Sequence, residues 1–180
     1  MDSLIDARQG PALVATAHVH GLPPARRFVL RGDSAARAAA ERALGVPVPP
    51  VACRAGADGE RAALWLGPDE WLLLMPAADA AGEQALASAL AGRAHSLVDV
   101  SHRQIGLRVS GPAVVSLLAA GCPLDLDVSA FPVGMCTRTM LSKAEVVLWR
   151  TGAQEFRLEV WRSFADYITQ YLAEAARGIN

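Results

Sequence analysis

The sequence predicts an α+β fold of two fused halves, each running strand, helix, hairpin, helix, with mainly antiparallel sheet carrying helices on one face. Three observations carry this. Two alanine- and leucine-rich helical stretches each follow a short apolar run. Two pairs of apolar runs are separated by four-residue turn sequences, Gly67-Pro68-Asp69-Glu70 and Thr151-Gly152-Ala153-Gln154. Leu64-Trp65 stands to Leu148-Trp149 at nearly the offset that Trp71 keeps to Phe156. The chain therefore reads as one domain over 1–180, with pseudo-repeat halves at about 25–95 and 96–180.

The first half opens with Pro11–Val19, an apolar stretch suited to a strand, and Gly21-Leu22-Pro23-Pro24 after it breaks any regular element. Phe28-Val29-Leu30 is a short strand. From Asp33-Ser34 an alanine-rich helix begins with a side-chain cap; it ends at Gly45 before Pro47. Three prolines make Val46–Pro50 an extended connector. Ala62–Leu66 and Trp71–Met75 form a hairpin, and a second helix runs from about Ala80 to Ala91. The order then repeats: strand Ile105–Val109, a helix from Gly111-Pro112 to Ala120, and a hairpin of Val146–Trp149 and Phe156–Val160. Ser163–Arg177 closes the chain as an amphipathic helix, with Phe164, Tyr167, Ile168, Tyr171 and Leu172 at i, i+3, i+4, i+7 and i+8.

Composition excludes several function classes. With 180 residues, 17 basic against 18 acidic side chains, net charge −1 and 52% hydrophobic residues, the chain is neither disordered nor a polybasic nucleic-acid binder. The longest apolar runs, such as Trp71–Ala78, fall short of the ~20 residues a membrane helix needs. Residues 1–6 lack a basic stretch followed by an apolar core, so a cytoplasmic location is expected. Cys53, Cys122 and Cys136 are odd in number and widely spaced, which fits reduced thiols. Neither a G-x-G-x-x-G string nor a Walker loop is present, and Lys143, the one lysine, has no glycine-rich lead.

Several polar groups are candidates for chemistry. His18-x-His20 places two imidazoles on one strand face without a third ligand nearby in sequence. Cys122 and Cys136 with His102 make a thiol site only by converging in space. The densest polar cluster is Asp99-Val100-Ser101-His102-Arg103. Triad logic allows Asp99 to orient His102 as a base toward Ser101 or a substrate. The competing reading is a strand end where Asp99 or Ser101 caps backbone groups and Arg103 pairs with a carboxylate, and ligand or subunit contact is a third. Gly121–Asp127 through Phe131-Pro132-Val133-Gly134 is too rich in turn formers and large apolar groups to be an idle loop, so it should be packed on something. If extended, it carries Asp125 and Asp127 on one face. Arg138, between two threonines, suits pairing with an acidic partner or with Asp125.

Five ordered strings carry a resemblance. Leu66-Gly67-Pro68-Asp69-Glu70-Trp71, Val98-Asp99-Val100-Ser101-His102-Arg103, Gly121–Asp127 with Phe131-Pro132-Val133-Gly134, Cys136-Thr137-Arg138-Thr139, and Arg162-Ser163-Phe164-Ala165-Asp166-Tyr167 resemble the gamma subunit of heterotetrameric sarcosine oxidase, from about residue 25 to the C-terminus. The resemblance implies an accessory, non-catalytic subunit, partnered by alpha, beta and delta chains. The complex so implied oxidatively demethylates sarcosine to glycine, passes the one-carbon unit to tetrahydrofolate and reduces oxygen to hydrogen peroxide. It also implies FAD, FMN and NAD on the large subunits, zinc on the smallest, and no cofactor bound by this chain alone. The implied fold is similar to the folate-binding domain of the glycine-cleavage aminomethyltransferases. The pterin-contacting and catalytic acids of those enzymes have no clear counterpart in Asp99, Asp125 or Asp127. Two alternatives stay open: a stand-alone folate-binding one-carbon transfer protein, and the small subunit of an N-methylglutamate dehydrogenase-like complex. For the accessory role, Trp71, Phe131, Arg138 and Trp161 are the expected interface anchors, since interfaces favour Trp, Phe and Arg. Asp99, Ser101, His102, Arg103 and Asp125 are further candidate contacts.

Overall fold

The computed structural model describes residues 17–179. Residues 11–16 of the expected first strand, and those read for a leader, lie outside the described residues; the end of that stretch contributes to β1 (His18–Gly21). The chain divides into two compact units. The first comprises Pro24–Arg103 with Gly134–Thr137; the second comprises the described residues before Pro24, Gln104–Val133 and the chain from Arg138 onward. Each contains one five-stranded sheet's central strands and two helices.

In the first unit the order is β2 (Ala25–Gly32), α1 (Ser34–Leu44), β3 (Ala55–Asp58), β4 (Arg61–Gly67), β5 (Glu70–Pro76), α2 (Ala80–Leu90) and β6 (His95–Asp99). The sheet runs β3-β4-β5-β2-β6, every neighbour antiparallel. α1 starts where expected because the Asp33 carboxylate accepts the backbone N–H groups of Ala35 and Ala36 at 3.0 and 2.9 Å. It stops at Gly45, whose φ of 76° suits a residue without Cβ and whose N–H donates to Glu41 O. α2 is capped in the same way by Asp79, which also pairs with Arg61 at 2.5 Å. Phe28, Leu30, Leu73 and Met75 from the strands meet Ala36, Ala40 and Leu44 of α1 and Leu86 and Leu90 of α2 in one buried cluster. The β4–β5 turn is tighter than the expected four residues. Gly67 pairs with Glu70, leaving Pro68-Asp69 as a two-residue turn with a bulge between Trp65 and Gly67.

The second unit adds β7 (Gln104–Ser110), α3 (Val114–Ala119), β8 (Cys136–Leu141, counted here from Arg138), β9 (Ala144–Gly152), β10 (Glu155–Trp161), a short 3-10 turn (Arg162–Phe164) and α4 (Ala165–Arg177). Its sheet runs β1-β7-β10-β9-β8. Strand for strand this repeats β6-β2-β5-β4-β3: the strand leading into the first helix lies beside the second hairpin strand, and the hairpin's first strand lies beyond that. The outer place beside β7 is taken by β1, with Val19 opposite Val109. α4 buries Ala165, Ile168, Leu172 and Ala176. Burying the Ile168 and Leu172 side chains contributes about 1.5–3 kcal/mol each. Phe164, expected on that face, is 39% exposed because it belongs to the 3-10 turn rather than the helix. Tyr167 and Tyr171 stack at 6.4 Å and use their hydroxyls on Ser142 Oγ and Ala120 O.

Candidate functional site

The segment after β6 is a turn locked by its own polar groups. Asp99 Oδ1 accepts the backbone N–H of Ser101 at 2.7 Å, and Ser101 Oγ accepts the backbone N–H of Arg27 at 2.9 Å. Val100 N–H donates to Arg27 O, so the turn is fastened to the start of β2. The Ser101 hydroxyl and N–H hold the Asp99 carboxyl below the usual carboxylate range against the opposing effect of desolvation, with His102 and Arg26 adding attraction. Among the three readings of this cluster, the backbone-capping one describes Asp99 and Ser101. Asp99 is turned to the serine's N–H and hydroxyl, which fix the turn, and His102 adds attraction to the same carboxylate. His102 and Arg103 are exposed.

The second candidate segment lies between α3 and β8. It is not extended, so Asp125 and Asp127 do not share a strand face. Each closes its own small turn instead: Asp125 Oδ1 accepts the Asp127 N–H at 2.9 Å, and Asp127 Oδ1 accepts the Ser129 N–H and hydroxyl at 2.8 and 2.6 Å. The two Ser129 bonds hold the Asp127 carboxyl below its ordinary range. The expected Arg138–Asp125 pair is not formed, since Asp125 makes no ion pair with a described residue. Phe131 and Leu126 are buried, and the Phe131 ring lies 6.1 Å from that of Phe156.

Arg150 organises this loop, and no sequence motif marks it. Its guanidinium, 3% exposed, donates to Leu126 O at 3.1 Å, Phe131 O at 2.9 Å, Gly152 O at 3.3 Å and Ala153 O at 2.7 Å. It also lies 4.9 Å over the Phe156 ring. The signal that could have found it is the alternation: Val146, Leu148 and Arg150 occupy one face of β9 at period two, so the arginine points where the two apolar residues do.

The remaining candidates are dispersed. Trp71 is 2% exposed in the first unit's core and donates its Nε1–H to Pro49 O at 2.7 Å. Phe131 is 1% exposed. Both expectations as surface anchors are corrected on the same ground: a ring enclosed by its own chain offers no area to a partner. Trp161 is 41% exposed at the end of β10, and Arg138 is exposed on β8. Cys122 and Cys136 belong to different units and serve locally. Cys122 Sγ lies 3.9 Å from Thr139 Oγ1, and the Cys136 thiol donates to Arg54 O. Burial pushes the Cys136 thiol up to about 12, which leaves it without thiolate character at neutral pH. His18 and His20 are exposed on one face of β1 and stack at 6.1 Å. Among the described residues no three His, Cys, Asp or Glu side chains come together as metal ligands. Asp99, Asp125 and Asp127 each use Oδ1 on a backbone N–H group of their own turn, and no reaction step is assigned to them. No described helix is long and apolar enough to cross a membrane.

Residues 31–178 match the Sarcosine oxidase, gamma subunit family. A sarcosine oxidase subunit gamma from an Arthrobacter species is 39% identical over 144 residues, 79% of this chain and 70% of that one. Its counterpart in Corynebacterium sp. strain P-1 is 37% identical over 140 residues, 77% of this chain and 68% of that one. Among solved structures, a chain of the heterotetrameric sarcosine oxidase from Corynebacterium sp. U-96, in complex with pyrrole 2-carboxylate, superposes with a TM-score of 0.84 at 31% identity, covering 90% of this chain and 84% of that one. The glycine cleavage system aminomethyltransferase T from Bartonella henselae superposes at 0.65 with 14% identity, covering 91% of this chain and 49% of that one, a likeness of fold alone. The chain belongs to the sarcosine oxidase gamma subunit family.

Proposed function

We propose that this chain is an accessory, non-catalytic subunit of a heterotetrameric flavoenzyme that oxidatively demethylates sarcosine. The observation that carries the reading is the whole-chain likeness to one chain of a heterotetrameric sarcosine oxidase. The local chemistry supports it: the polar groups best placed for catalysis, Asp99 and Ser101, are consumed in a turn, and the buried thiol of Cys136 is unreactive. In this reading FAD, FMN, NAD, zinc and tetrahydrofolate belong to alpha, beta and delta partners in the cytoplasm, and this chain contributes surface. Trp161, Arg138 and the exposed His102-Arg103 at the end of the locked turn are proposed contacts, with Asp99 and Ser101 positioning that turn and Asp125 presented from the loop before β8. Trp and Arg at such positions supply much of the binding energy of protein interfaces.

Co-expression with the candidate flavin-bearing subunits, followed by size-exclusion chromatography at protein and flavin wavelengths, tests the proposal. The expected result is co-elution in one yellow complex. A colourless chain that elutes alone beside assembled partners overturns it.

A further inference from the structure

We infer that the loop from Asp125 to Val133 is a preformed docking element for a partner subunit whose facing surface is apolar and carries Lys or Arg. The inference rests on the subunit reading and adds to it a surface and a chemistry. Val128 and Val133 are 53% and 52% exposed, among the most exposed large apolar side chains of the described chain. They stand on a segment without helix or strand that is nevertheless held from beneath. The buried Arg150 guanidinium takes the carbonyls of Leu126 and Phe131, and the Phe131 ring packs at 6.1 Å from Phe156. Enclosing a guanidinium against neutral carbonyls is costly, and here it fixes the chain at Leu126 and Phe131, on either side of Val128 and two residues before Val133. A loop already held in one conformation loses little entropy on binding, which is what an association element requires.

Charge identifies the facing surface. Asp125 and Asp127 are exposed beside Val128, and neither makes an ion pair with a described residue. The described cation that acts on Asp127 is Arg150, which is buried and occupied by carbonyls. A cationic side chain from the partner complements these carboxylates while an apolar patch covers the two valines.

Two variants of the full chain, co-expressed with the partner subunits, test this. Val128→Asp/Val133→Asp places charge at two exposed positions. Asp125→Asn removes a charge while keeping the Oδ1 acceptor for the Asp127 N–H. Val51→Asp, at a 60% exposed valine of the first unit, is the control. The expected result is assembly weakened about tenfold or more by the double variant. For Asp125→Asn the expected result is slower association with a smaller dependence on salt, and Val51→Asp assembles normally. Normal assembly by both loop variants, or equal weakening by the control, overturns the inference and leaves the subunit reading intact. Should the double variant fail to fold, the rate and salt dependence of Asp125→Asn decide. If the unaltered chain joins no flavin-bearing subunit, the subunit reading fails and this inference falls with it.

Discussion

Asp99 shows how a catalytic-looking residue is used for structure. Its carboxylate is held ionised by the Ser101 hydroxyl and N–H, and the same turn fastens β6 to the start of β2. The sign of its pH effect comes from the depressed folded value. The stabilisation is present above the ordinary carboxylate range and is lost as pH falls through the folded value. Asp127, depressed by Ser129, and Asp79, depressed first by the Gly82 N–H and then by Arg61, behave alike. Thermal midpoints measured across the acid range should therefore fall, and Asp99→Ala should make that fall shallower. An unchanged acid limb in the variant contradicts the assignment. His102→Ala should leave the fold and the substrate-dependent turnover of an assembled complex unchanged, because the turn is held by Asp99 and Ser101; loss of turnover in an intact complex would favour the catalytic reading. Asp99 could not be told from a triad member in sequence, because capping and catalysis use the same residue types at the same short spacing.

At the scale of elements, what was legible was what repeats. α1 carried its cap and stop in Asp33 and Gly45, and the two hairpins carried alternating or continuous apolar runs around turn formers. β6 and β3 were not legible as strands. β6 has four of five residues exposed, so it shows no buried face, and β3 is an edge strand, Ala-Gly-Ala-Asp, with little strand propensity. Position, not composition, makes β3 a strand. Gly56 brings it so close to the proline connector that a Cβ there would lie 2.1 Å from Pro47 O. Gly56→Ala should cost about 1–3 kcal/mol, read as a shift in the urea midpoint. Wild-type stability would contradict the close approach. Asp33→Ala should cost about 1 kcal/mol by the same measurement, through loss of two backbone acceptor contacts at the start of α1. The loop before β8 was legible as packed, but its mode of packing was not. Arg150 comes from a strand 24 residues beyond Leu126 and 19 beyond Phe131, and only the fold brings it beneath them. Arg150→Met keeps much of the volume and leaves those two carbonyls without their donor. It should destabilise the second unit by about 1–3 kcal/mol and speed amide exchange across 125–133.

For the whole molecule, the family was readable because five separated strings fall in one order, and the aminomethyltransferase-like fold which that resemblance implies agrees with the structural likeness and with the duplicated strand order. The same duplication places a central strand, a hairpin and two helices in each unit, and among the described residues no three His, Cys, Asp or Glu side chains come together as metal ligands. On the accessory-subunit reading, titration of the isolated chain with a reduced folate should show no saturable binding; a tight, stoichiometric isotherm would revive the stand-alone one-carbon reading. If the chain acts by assembly, it must be found inside a hetero-complex. Native mass spectrometry of the tagged chain, purified from cells that also produce the larger subunits, puts that requirement to the test. The expected spectrum shows one hetero-assembly that contains this chain once and releases it intact on activation. A spectrum holding only the free chain or copies of itself would contradict assembly as its role.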